Sequence, residues 1–374
     1  MKLTLYTMIS LLIIMSAAKL SLAQGEAAVP FLLVDPSVKG NAMAGAMGSV
    51  SNDASAVFYN PACLVRTSRF SGEVNRISWL PQFNFDDLYY FQTSAAFHIP
   101  KCGWFCINFI YFDLGENIWT SETGEELGRF DSNEWAFSIG YAFKYSNSTS
   151  FGINLKLIQS NLTDQKVRVG TEWSDGKATS YAVDIGFLQQ NVLPDLCYYR
   201  RFLDTRFTKW TLHRQPPGIS IGVSLTNMGP DITYISEYQA DPLPQNLRWG
   251  ISWNYLDTDK IGLITSIDFN KLLVNKDMTG EADPFYKALF TSWSEGGLNS
   301  ITTGIGQQIS IMTVFAIRIG YFYEDPNHGD RKFLSYGFSF GPETLSLNTA
   351  WTIDWRDDNQ LVKDTFVFGL SLAY

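Results

Sequence analysis

The stretch that most constrains the fold is the last one: Phe366, Val367, Phe368, Gly369, Leu370, Ser371, Leu372, Ala373 and Tyr374. Side chains alternate across a strand with period two, so Phe366, Phe368, Leu370, Leu372 and Tyr374 share one face. Val367, Gly369, Ser371 and Ala373 share the other. One face is large and apolar, the other mostly small, and the chain stops on an aromatic. Two structures fit this segment taken alone: an edge strand of a soluble sandwich, and the closing strand of a transmembrane barrel.

The rest of the chain separates the two. Trp135, Phe137, Ile139, Tyr141 and Phe143 oppose Ala136, Ser138, Gly140, Ala142 and Lys144. Leu247, Trp249, Ile251 and Trp253 oppose Arg248, Gly250, Ser252 and Asn254. Phe315, Ile317, Ile319 and Tyr321 oppose Ala316, Arg318 and Gly320. A soluble core interdigitates mixed sizes. Here rings crowd one face, while Gly, Ser and occasional charges occupy the other. That segregation predicts a barrel with lipid outside and a polar lumen. Closure also pairs every backbone donor and acceptor, which lipid cannot do.

About fourteen strands are expected, at 70–80, 87–99, 104–113, 134–145, 149–160, 179–190, 218–228, 245–256, 260–270, 299–309, 314–324, 331–341, 344–354 and 364–374. Most have about the 9–11 residues a tilted strand needs to cross. Short links at 100–103, 146–148, 257–259, 310–313 and 342–343 alternate with long ones at 114–133, 161–178, 229–244, 271–298 and 355–363. The predicted fold class is therefore all-β, an antiparallel transmembrane barrel with short periplasmic turns and long outer loops. Both termini are expected in the periplasm.

Composition agrees. Charged residues are 17% and aromatics 15%, a thinning of charge suited to a surface that meets lipid. Lys and Arg total 28 against 37 Asp and Glu, a net charge of −9, which argues against nucleic acid as a partner. Residues 1–23 read as a secretory leader: Lys2, an apolar core over 3–18, and Ser21-Leu22-Ala23 before Gln24. The division expected is a leader at 1–23, an N-terminal plug at 24–69 and an outer-membrane barrel at 70–374 of a diderm bacterium. Cys102 and Cys106 lie four apart, and both a disulfide and free thiols remain open for them.

No catalytic, cofactor or metal residues are expected. His98, His213 and His328 have no recognisable Ser or Asp partners nearby in sequence, and no G-x-S-x-G elbow is present. The acidic 114–133 stretch (Glu116, Glu122, Glu125, Glu126, Asp131) lacks calcium-loop spacing and reads as a solvated outer loop. Link 191–217 is long although parity puts it among the short turns. It carries Arg200 and Arg201, candidates for docking a periplasmic partner or acidic headgroups, or else a plain insertion. Link 271–298 holds Phe285, Tyr286, Phe290 and Trp293. These suit either partner recognition or a headgroup-level aromatic belt.

Residues 24–69 do not alternate. Gly40-Asn41-Ala42-Met43-Ala44-Gly45-Ala46-Met47-Gly48 can approach other backbones closely. Asn52 or Asp53 is expected to cap a short helix that runs through Phe58 and ends at Asn60-Pro61. The small lumen faces leave room for such a plug.

The run from Asp53 to Ala62, D-A-S-A-V-F-Y-N-P-A, resembles the N-terminal hatch motif of the FadL superfamily of outer-membrane proteins. Within it the chain looks most like the PorV/PorQ branch. That likeness rests on Phe31-Leu32-Leu33-Val34-Asp35-Pro36, Ser224-Leu225-Thr226-Asn227-Met228-Gly229-Pro230, Leu243-Pro244-Gln245-Asn246-Leu247-Arg248, Asp268-Phe269-Asn270-Lys271-Leu272-Leu273-Val274 and Gly320-Tyr321-Phe322-Tyr323-Glu324. Cys63 stands where the motif often has Gly, and the 191–217 link is longer than in the pattern. The resemblance implies a role in type IX secretion: binding the C-terminal signal domain of exported cargo and passing it from the translocon to a surface attachment complex that includes a sortase. It implies a carrier with no cofactor. The alternative is a FadL-like channel for hydrophobic small molecules.

Overall fold

The structure is a computed structural model describing residues 27–79, 87–121, 123–163, 167–169, 172–174, 176–193, 218–234, 240–258, 260–276, 281–294, 296–312, 314–342, 344–353 and 365–374. The leader, Arg200, Arg201, His213 and Glu122 lie outside the described residues.

Fourteen strands close into one antiparallel barrel. They are β1 (Phe70–Ser78), β2 (Leu88–Ile99), β3 (Gly103–Thr120), β4 (Glu126–Lys144), β5 (Thr149–Asn161), β8 (Lys177–Gln189), β9 (Gly218–Met228), β10 (Asn246–Asp257), β11 (Ile261–Leu272), β12 (Ile301–Ile311), β13 (Phe315–Tyr323), β14 (Lys332–Phe340), β15 (Leu345–Ile353) and β16 (Phe366–Ala373). A separate small hairpin, β6 (Val167–Val169) and β7 (Glu172–Ser174), sits in the link between β5 and β8. Closure joins β1 to β16, from Ser71↔Ala373 to Ser78↔Phe366. Beyond that ladder, Phe70 and Tyr374 exchange two backbone hydrogen bonds of 2.8 Å.

Burial in β16 runs opposite to that of a soluble strand. Phe368 and Leu370 are 40% and 44% exposed, while Val367 on the other face is fully buried. Large residues point outward all round the wall, including Ile139, Leu155, Ile251, Ile319 and Phe338. Leaving each half-exposed in water forgoes roughly 1 kcal/mol, repeated over dozens of side chains, so the wall suits hydrocarbon.

One expected loop is mostly strand. β3 and β4 continue as a ribbon beyond the wall, pairing as far as Thr120↔Glu126. The register slips between Asp113 and Glu116, where Gly115 takes a positive φ of 72°. A bulge of this kind re-phases the alternation, which hid the continuation in the sequence. Glu116 and Glu126, expected to be solvated acids, both pair with Arg129, at 2.6 and 2.8 Å.

Short turns and Tyr374 share one end of the barrel with the strand ends that flank link 190–217, and the other long links lie at the opposite end. Residues 27–69 fill the lumen. Short 3-10 turns at Pro30–Leu33 and Pro61–Arg66 flank two helical turns, α1 (Val38–Ala42) and α2 (Ala56–Tyr59). The plug begins at the long-loop end, where the Ala28 amide donates to Pro242 O at 3.0 Å. It then descends to join β1 at the short-turn end. The two described ends of the chain therefore lie at opposite ends of the barrel, against the expectation that both termini share one side. The physical reason is that the plug crosses the lumen once before the first strand starts.

Candidate functional site

Gly and Ser dominate the inner wall for two different reasons. Glycine lets the plug backbone touch the wall: a Cβ on Gly222 would lie 2.1 Å from Gly48 O, and one on Gly152 only 2.3 Å from the Pro61 carbonyl carbon. Serine donates to plug carbonyls buried against the wall. Ser224 donates to Tyr59 O at 2.7 Å, Ser335 to Ala42 O at 3.1 Å, Ser150 to Ala62 O at 3.2 Å and Ser252 to Ser49 O at 3.3 Å.

The centre of the plug is latched by a wall ion pair. The Asp268 carboxylate accepts from the amides of Met47 (3.0 Å) and Gly48 (2.6 Å). Arg248 pairs with Asp268 at 3.0 Å and donates to Gly45 O at 2.7 Å. Its guanidinium also sits 5.3 Å from the centre of the Tyr59 ring. A charge-assisted, multiply bonded pair of this kind fixes register as well as position.

Asn60 and Pro61 behave as the sequence predicts. α2 stops at Tyr59, and Asn60 turns extended before Pro61 opens the next 3-10 turn. The fully buried Asn60 side chain accepts from the Ala62 amide (3.0 Å) and donates to Gly48 O (2.9 Å) and Phe187 O (3.0 Å). One amide thus caps a turn, ties two parts of the plug and anchors both to β8. Cys63 fits where Gly was expected, its thiol donating to Gly48 O at 3.5 Å. Phe58 is buried and meets Tyr59 edge-on at 5.1 Å.

The capping expectation fails. α2 has no side-chain cap. Asp53 instead takes a 2.8 Å ion pair from Lys39 and a 2.5 Å hydrogen bond from Ser55, because its carboxylate is buried and a cation is within reach. Asn52 is half-buried beside it, facing a lumen cavity.

A second polar cluster was not foreseen. Tyr59 donates to Asp35, and Ser37 caps α1 through the Gly40 amide at 2.9 Å. Burial pushes the Asp35 carboxyl up to about 7, against the opposing hydrogen bond from Tyr59. A Cβ on Gly40 would run into Tyr59 Oη and the Asp35 carboxylate.

Nearer the long loops the lumen is apolar. Val29, Phe31 and Leu32 pack among the inward side chains Ile77, Tyr90, Ile110, Phe112 and Ile158, with Ile232 and Leu243 from the 229–245 link. Tyr90 donates to Phe31 O and Val34 O, both at 3.3 Å. The expectation of a lumen lined mostly by small groups and scattered charges is corrected at this end. These residues sit at the upper ends of strands whose middles carry the small side chains.

At the long-loop rim, helix α3 (Phe285–Thr291) leaves Phe285, Tyr286 and Phe290 exposed, Phe290 by 79%. Trp293 is different. It folds back to donate to Leu289 O at 3.0 Å and lies under the Lys271 ammonium. Asp283 fastens the helix by accepting from Lys287, Asn275 and Thr291, and these bonds, led by that from Lys287, hold its carboxyl down at about 2. The β3–β4 ribbon adds exposed Ile118, Trp119 and Leu127. Cys102 is exposed and Cys106 buried, both as free thiols; the latter faces the plug and donates to Ala54 O at 3.5 Å. His98 stacks on Trp104 at 4.0 Å, and His328 lies 3.5 Å from Asp325 in a turn.

Comparison with known proteins agrees with this architecture. The P. putida toluene transporter TodX is 9% identical, with 91% of this chain and 99% of that one covered and a TM-score of 0.54. A TodX deltaS2S3 mutant, described as a monoaromatic hydrocarbon channel, is 11% identical, with coverages of 90% and 98% and a TM-score of 0.55. The monoaromatic hydrocarbon channel CymD is 13% identical, with coverages of 91% and 98% and a TM-score of 0.51. At such identities the likeness is one of fold, that of the closed β-barrel. No curated protein matches. The family described as type IX secretion system protein PorV matches residues 22–279, which take in the whole plug and the Arg248–Asp268 latch. The chain therefore belongs to the PorV family of type IX secretion system proteins and is an outer-membrane β-barrel.

Proposed function

We propose that this barrel binds the C-terminal signal domain of exported cargo and carries it from the translocon to the surface attachment complex, which includes a sortase. One observation carries the reading against transport: the apolar upper lumen is filled by the chain's own Val29, Phe31 and Leu32. What remains free to bind is the rim, where Phe285, Tyr286 and Phe290 project from α3. In this reading the long loops face the cell surface, Tyr374 faces the periplasm, and residues 1–23 are removed on export. The barrel is a carrier and performs no catalysis.

The test is affinity purification of the full-length protein from membranes in mild detergent. Secreted proteins with intact C-terminal domains are expected with the wild type and not with the triple variant Phe285→Ser, Tyr286→Ser, Phe290→Ser. Equal recovery from a folded triple variant excludes α3 as the contact. Charge reversal at Arg200 and Arg201 is expected to reduce recovery of periplasmic partners.

The second reading, a channel for hydrophobic small molecules, is favoured by the apolar ring of Ile77, Tyr90, Ile110, Phe112 and Ile158. It requires residues 29–32 to leave that ring. Loss of hydrophobic solute uptake on deletion, with cargo export intact, would decide for it.

A further inference from the structure

Below the plug, a cavity of about 200 Å³ opens at the short-turn end. Its lining includes Lys39, Asn52 and Asp53 of the plug and Arg318, Ser339 and Asn348 of the wall. Arg318 is only 5% exposed, yet no carboxylate among the described residues comes within the 4.0 Å of an ion pair. A buried charge without a close counter-charge is costly, and this one is held in place by neutral groups. Its Nε donates to Gln308 Oε1 at 2.7 Å and its Nη1 to Ser339 Oγ at 2.6 Å. Ser339 in turn donates to Asn348 at 2.5 Å, and Asn348 to Ser371 at 2.9 Å. This chain of wall residues aims the guanidinium. Among the described residues no acceptor takes its Nη2. Asp53 is already engaged by Lys39 at 2.8 Å, and with Glu73 it acts on Arg318 only at longer range.

We propose that this vestibule is a carboxylate-binding site, with Arg318 as its anchor. A guanidinium fork with a free donor edge matches a carboxylate. Asp53 on the lining favours a monoanion over a doubly charged phosphate. The volume admits a carboxyl group on a short stem and not a folded domain. The group comes from a small organic acid or from a polypeptide end or acidic side chain entering from the short-turn side. The proposal is independent of the cargo reading.

The test uses the detergent-solubilised full-length protein at constant ionic strength. ¹³C-carboxyl acetate, a short neutral peptide with a free C-terminus and the same peptide as its amide are titrated by NMR. Acetate and the free-acid peptide are expected to saturate, and the amide is not. Arg318→Gln is expected to weaken binding at least about tenfold, in keeping with loss of a charge-assisted contact. Ser339→Ala keeps the charge and removes the aim, so it weakens binding by less and serves if Arg318→Gln fails to fold. Arg331→Gln, in a turn at the opposite end, leaves binding unchanged. Saturation by acetate alone assigns the site to small acids, and tighter binding of the peptide assigns it to polypeptide. The proposal is overturned by absence of saturation, by equal binding of the amide, or by unchanged affinity in folded Arg318→Gln and Ser339→Ala.

Discussion

In the half of the lumen nearest the long loops, Val29, Phe31 and Leu32 sit among Ile77, Tyr90, Ile110 and Phe112. In the middle and lower half, Arg248, Asp268, Asn60 and the wall serines hold the plug through directed hydrogen bonds. The upper contact is apolar and non-directional, so it supplies stability without fixing register. The lower contact is polar and directional, so it fixes register at a desolvation cost that only complete pairing offsets. One segment is thus seated by filling at its head and by bonding at its centre.

Cutting the latch tests that contrast most severely. Asp268→Ala leaves Arg248 buried without its partner and is expected to destabilise the plug by about 3–5 kcal/mol. Hydrogen exchange of plug amides in detergent reads the effect, and adding Arg248→Met should recover much of it. If Asp268→Ala alone leaves exchange unchanged, the latch carries no stability. Phe31→Ala probes the upper half. Loss of its packing is expected to cost about 3 kcal/mol, with no change in salt dependence, whereas the latch variant changes it.

Asn60→Ala removes the side-chain partner of Phe187 O and of the Ala62 amide, leaves Gly48 O with only the weak Cys63 thiol, and is expected to cost about 1–3 kcal/mol. Because those bonds join plug to wall, protease nicking within residues 48–62 should rise while heat-modifiable mobility of the barrel stays as in the wild type. The smallest effect concerns pH. The folded Asp35 carboxyl is raised to about 7, so the native state holds a proton that the unfolded chain releases near its ordinary value of about 4. The stability contributed by protonated Asp35 is complete below about pH 4 and is lost as pH rises to about 7. Plug protection factors, in which the intrinsic base catalysis of exchange is divided out, should therefore be lower at pH 8 than at pH 5, and Asp35→Asn should flatten that difference.

Much of this molecule is visible in the alternation. Apart from the outer ends of β3 and β4, the strands read from rings at every second residue coincide with those observed to within a few residues, because a barrel wall has two unlike solvents and each side chain must choose one. Reading failed where another rule replaced that choice. The bulge at Gly115 shifted the phase and concealed the β3–β4 ribbon. Asp53 looked like a helix cap because it precedes α2, but the half-buried Lys39 claimed it. Trp293 looked like a rim contact beside Phe290, but a carbonyl one turn back took its indole N–H.

Sequence alone determined that the wall faces lipid, how many times it crosses, and that a small-residue segment fills its bore, since these follow from the size and period of side chains. Only the folded structure decided how that segment is held. Asp268 and Gly48 are 220 residues apart along the chain, and no local pattern tells which wall charge will meet which plug amide. Closure of the barrel brings them together, and the low dielectric of its interior makes the pairing matter.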